Sequence, residues 1–111
     1  MNSELISKYI FLTLIALAVI LEVIADILFK KWSLVNKNSL LIAGLVIYFI
    51  GTFIWAVSLK YELLSKAISI FTILNLIIVV LVGVLIFKED LSSINKLGIG
   101  LGVISVILIE L

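Results

Sequence analysis

The 111-residue chain has no cysteine, no histidine, no proline and no arginine. Without cysteine there is no disulfide, no thiol chemistry and no cysteine metal site. Without histidine the commonest general base and metal ligand is missing. Eight lysines with no arginine, at a formal net charge of +1, make a poor phosphate-reading surface, so nucleic acid is not expected as a partner. Charge itself is scarce at 14% of residues, against about 25% in a soluble domain. No proline means that any helix bend must come from glycine or from packing.

What is abundant is apolar side chain, 65% of the chain, against roughly 45–50% in soluble domains. It falls into four runs, each close to the roughly 20 residues that cross a bilayer as a helix. Helices are expected at about 9–29, 39–59, 67–87 and 94–111, in a single domain spanning residues 1–111 after a short polar lead, Met1 to Lys8. The first run is too long for a signal-peptide core and no small-residue cleavage site follows it, so it is read as a membrane span. Loops this short force antiparallel neighbours. The fold class is therefore all-α, an integral membrane four-helix bundle, multi-pass in the plasma membrane. Lysines 8, 60 and 66 fall on one side and lysines 30, 31, 37, 88 and 96 on the other, a weak bias under the positive-inside rule.

Two charges interrupt the first run, Glu22 and Asp26. A carboxylate at that depth costs a few kcal/mol or more on insertion scales and commonly marks an ion, proton or substrate site. Spaced by one turn, the two lie on one helix face about 6 Å apart. As a pair they read as a cation and proton site: burial penalises the charged form of Glu22, which can then hold a proton until a cation replaces it. Asp26 has a second reading, as a structural partner of Lys30 at the helix end.

Four helices of this size enclose little, so a buried Glu22 argues for an oligomer with its site between subunits. Gly98, Gly102 and Ser105 form a small-residue stripe on helix 4 that suits a dimer contact or packing within one subunit. The surrounding GIGLG is not a nucleotide loop, since no strand precedes it. Tyr48 and Trp55 share a face of helix 2 and, with Phe71, form either an aromatic wall for an organic cation or filler. Ser69, Thr72 and Asn75 make a polar edge on helix 3, either lining the same cavity or bonding between helices; a mid-membrane amide such as Asn75 needs a partner. No nucleophile–base pair is visible, so no enzyme activity and no cofactor is expected.

The stretch ALAVILEVIADILFK, residues 16–30, resembles the first helix of the small multidrug resistance transporters, four-helix proteins of about this length. Their hallmark is a lone membrane glutamate in a context like L-E-V-I-A, with a lysine eight residues on, here Lys30. Tyr48 falls at the family's substrate-facing tyrosine, Gly98 and Ser105 on its dimer face, and FKEDL, residues 87–91, is similar to the helix 3–4 junction of the wider drug/metabolite transporter superfamily. The resemblance implies an antiparallel, dual-topology dimer whose two glutamates exchange protons for a cationic substrate. The partners it implies are protons, a small cation (quaternary ammonium, guanidinium or polyamine), membrane lipid, and a second copy or a paralogue.

The sequence departs from that pattern at substrate-facing and bending positions. The helix-3 tryptophan is Phe71, the bending glycines are Ile73 and Asn75, the second loop has no proline, and Asp26 replaces a small or neutral residue. The first helix is also similar to one subunit of the paired spermidine exporters. Asn75 and the region after it look like small subunits that flip aminoarabinose-modified lipid carriers. A polyprenyl-lipid flippase subunit, or one half of a heterodimeric polyamine exporter, are thus the alternative functions.

Overall fold

The computed structural model describes residues 2–111; Met1, the first residue of the expected polar lead, lies outside them. The chain folds into four helices: α1, Ser3–Val35; α2, Asn38–Ser58; α3, Leu64–Leu85; and α4, Ser93–Glu110. All four are long and apolar enough to cross a membrane. The architecture is a four-helix membrane bundle, with its many exposed leucines, isoleucines and valines turned outward as a lipid-facing surface requires.

The helix bounds differ from the expected ones mainly in α1, which runs at both ends beyond the expected 9–29. At a rise of about 1.5 Å per residue it is about 50 Å long, whereas the hydrocarbon core is about 30 Å thick. Hydropathy marks only the part of a helix in lipid; the outer turns depend on caps. The Asn2 side chain accepts the Leu5 N–H at 2.8 Å. At the other end Asn36 turns left-handed, φ 55°, and donates its N–H to the Trp32 carbonyl, a conformation asparagine tolerates well. The expected loop from Ser33 thus shrinks to Asn36–Lys37. Helix α3 begins three residues before and ends two before its expected bounds of 67 and 87. Helix α4 starts one residue early, with Ser92 accepting the Asn95 N–H at 3.1 Å.

Helix α1 is the hub. It packs along α2 on one side and against α3 on another, whereas α4 rests mainly on α3 and reaches α1 only near its C-terminal end, through Ile109 and Glu110. Two stripes of α1 explain this. Phe11, Ile15, Val19 and Val23, at four-residue spacing, pack with Ala67 and Ile70 of α3 in the main core cluster. Ala18, Glu22 and Ala25 are buried beside them and face α2, whose own buried residues are Gly44, Gly51 and Ser58. These α2 positions are seven apart, so they share one face. Lipid supplies no hydrophobic drive between helices, so small residues that let backbones approach are what hold such a pair together.

Candidate functional site

Glu22 sits near the middle of α1 and is only 9% exposed. Its seat is made by what Gly51 lacks. A Cβ at Gly51 would lie 3.2 Å from Leu21 Cβ, 3.4 Å from Glu22 Cγ and 3.5 Å from the Ala18 carbonyl oxygen. The next residue of α2, Thr52, sets its hydroxyl beside the Glu22 carboxyl. Among the described residues no lysine pairs with Glu22. Asp26 is close enough that the two carboxylates repel when both are charged, a tension that a proton or a cation relieves. Neither Gly51 nor Thr52 was singled out from the sequence; the heptad spacing of Gly44, Gly51 and Ser58 was the available signal.

The aromatics divide into two pairs. Trp55 and Phe71 meet across α2 and α3, with ring centroids 4.9 Å apart and planes tilted by 48°. Tyr48 pairs instead with Phe29 of α1, at 6.4 Å and 47°. The single wall expected from Tyr48, Trp55 and Phe71 is therefore two clusters, one on each side of Gly51 along α2. Phe29 lies seven residues after Glu22 on the same face of α1, a spacing visible in the sequence. Its ring fills the space where a Cβ on Gly44 would fall, at 2.7 and 2.9 Å.

The polar edge of α3 does not line one cavity. The Ser69 hydroxyl donates to the Ser65 carbonyl at 2.7 Å, within its own helix, and Thr72 is exposed. Asn75 stands out: its Oδ1 is fully buried and meets no donor. On α4, a Cβ at Gly98 would meet nothing within 4 Å, and one at Gly102 only Ile73 Cγ2 at 3.8 Å. The Ser105 hydroxyl donates to the Leu101 carbonyl at 3.0 Å. Within one chain this small-residue stripe is only loosely covered, with Gly98 on an open cleft beside Leu76 and Val80 of α3.

The structure corrects the pairing of Asp26 with Lys30. Lys30 Nζ reaches Glu89, 3.8 Å away beyond the end of α3, and Asp26 has no ion-pair partner among the described residues. Asp26 is half-buried and lines a cleft of about 130 Å³ between α1 and the C-terminal half of α3. The two carboxylates thus share a face of α1 but address different neighbours, Glu22 towards α2 and Asp26 towards α3. A larger cleft, about 470 Å³, lies away from both, at the end where Lys8, Glu62, Lys66 and Glu110 gather. Its charges are largely spent on each other, Lys8 with Glu110 and Lys66 with Glu62, each at 3.9 Å.

Among the described residues no cluster of three or more histidine, cysteine, aspartate or glutamate side chains could hold a metal ion. The family model described as "Small Multidrug Resistance protein" matches residues 7–104. No match is found among curated proteins or among solved structures.

Proposed function

Because the chain belongs to the Small Multidrug Resistance family, a family of small-molecule efflux transporters rather than enzymes, we propose that it is a proton-coupled antiporter exporting small organic cations. The observation that carries this reading is Glu22, nine-tenths buried in an apolar span with no cation among the described residues to neutralise it. A carboxyl in that setting holds a proton or a bound cation, but not both. Protons therefore compete with the substrate, which could be a quaternary ammonium, a guanidinium or a polyamine. Tyr48 and Trp55 lie on either side of Gly51 along α2, and Trp55 meets Phe71; aromatic rings of this kind attract such ions, and Thr52 offers a hydroxyl to orient the carboxyl.

A second copy would complete the site. The loosely covered α4 face with Gly98, Gly102 and Ser105 supports a dimer, either of this chain or with a paralogue. In an antiparallel arrangement two Glu22 side chains would serve one substrate path, opening alternately to each side.

The test is proton release from purified protein on addition of quaternary ammonium, guanidinium and polyamine salts, in parent and Glu22→Gln protein. The parent should release protons, and its affinity should fall as pH falls. Glu22→Gln should release none and should lose the pH dependence. Transport by Glu22→Gln at parental rates would end this reading. The flippase alternative draws on the buried amide of Asn75; its sign would be co-purification of an anionic polyprenyl lipid with indifference to cations.

A further inference from the structure

We infer that the cleft between α1 and α3 is a second cation site, separate from Glu22, which takes a short primary alkylammonium ion through Asp26. Its walls are Val23 and Ile27 from α1 and Val79 and Val82 from α3, with Phe87 at one end. Asp26 supplies a carboxylate from within, and Lys30 and Glu89 stand at the rim. Apolar walls around one carboxylate suit an ion with a charged head and a hydrocarbon body.

Lys30 follows Asp26 by one turn of the same helix, the spacing at which the two would ordinarily pair. It does not, because a built turn draws it away. Lys88 takes the left-handed conformation, φ 54°, and the Glu89 N–H donates to the Gly83 carbonyl at 3.0 Å. The Glu89 side chain then folds over Gly83, in the space a Cβ there would occupy. So seated, Glu89 holds Lys30 at the rim and leaves the Asp26 carboxylate to a mobile cation.

Size and donor count narrow the class. The cleft offers about 130 Å³, well above the roughly 10–15 Å³ that one water needs, which is room for a short alkyl chain. A primary ammonium carries three N–H donors and can address Asp26 and Glu89 together, which a quaternary head cannot do. The ion would share Glu89 with Lys30, whose half-exposed pair with that carboxylate is weakly held.

The experiment titrates n-butylammonium and tetramethylammonium into the detergent-solubilised full chain by calorimetry, in parent, Glu22→Gln, Glu22→Gln/Asp26→Asn, Glu22→Gln/Lys30→Gln and Glu22→Gln/Val82→Phe proteins. With Glu22 neutralised, n-butylammonium should still bind and tetramethylammonium should not. Adding Asp26→Asn should weaken n-butylammonium about tenfold or more, as loss of a charge-assisted contact does. Adding Lys30→Gln should strengthen it a few-fold, since that change frees Glu89 and removes a like charge. Adding Val82→Phe should abolish it by filling the cleft, an independent reading if Asp26→Asn fails to fold. No n-butylammonium binding to folded Glu22→Gln protein, or binding there that neither Asp26→Asn nor Val82→Phe weakens, would overturn the inference. The two readings fail separately: parental transport by Glu22→Gln removes the Glu22 antiporter and leaves this cleft standing.

Discussion

Helices α1 and α2 meet through Ala18, Ala25, Gly44, Gly51 and Ser58, so closely that one added methyl group at Gly51 would crowd Leu21 and touch Glu22 and the Ala18 carbonyl. Helices α3 and α4 meet far more loosely; α4 has no buried residue, and a methyl group at Gly98 would touch nothing. Both helix pairs carry small residues at helical spacing, but only one pair uses them within the chain. Small residues on a membrane helix therefore do not say where the close approach occurs; only the packing does. In α1–α2 they seat the central carboxylate. In α4 they are left for a surface outside the chain, the dimer face proposed above.

Substitutions can break this contrast, and the largest effect is expected at Gly51. Gly51→Leu forces bulk against backbone and should destabilise the chain by about 1–3 kcal/mol, as overpacking does, measured by detergent unfolding followed by circular dichroism. It should also disturb Glu22, whose Cγ is one of the atoms it meets. The mirror change, Gly98→Leu, should leave unfolding of the single chain unaltered and lower association at least about tenfold, or about 1.4 kcal/mol, read by energy transfer between labelled copies. Equal unfolding losses from the two would erase the distinction between the halves.

Smaller effects sharpen it. Asn75→Leu removes a buried acceptor that has no donor and should raise the stability of the single chain by about 1 kcal/mol; a loss instead, confined to the associated form, would place a donor from a second copy against Oδ1. Lys8→Gln breaks only the exposed pair with Glu110 and should cost less than about 1 kcal/mol, vanishing in high salt.

The four spans and the burial of Glu22 were legible because lipid demands long apolar runs and punishes charge. The ends of α1 were less so, since the turns from Ser3 to Lys8 and from Lys30 to Val35 are polar and hydropathy is silent there; Asn2 and Asn36 were the local signs of where the helix begins and stops. Gly44, Gly51 and Ser58 could have been noticed from their spacing. The partner of Lys30 could not: the i+4 rule favoured Asp26, and the choice of Glu89 depends on a left-handed turn at Lys88, a non-glycine residue with nothing in its local sequence to announce it. The division of the aromatics into two pairs likewise depends on how α1, α2 and α3 sit together.

Helix α1 contains neither glycine nor proline over its 33 residues, and it carries Lys8 near one end, Lys30 near the other and Glu22 between them. A rod with no joint moves as a lever. Any tilt that reshapes the space around Glu22 must swing both ends at once, tugging on the Lys8 contact with Glu110 at one mouth and the Lys30 contact with Glu89 at the other. On the antiporter reading proposed above, occupancy at the centre would thereby be felt at both ends of α1 without any chain of intermediates to relay it.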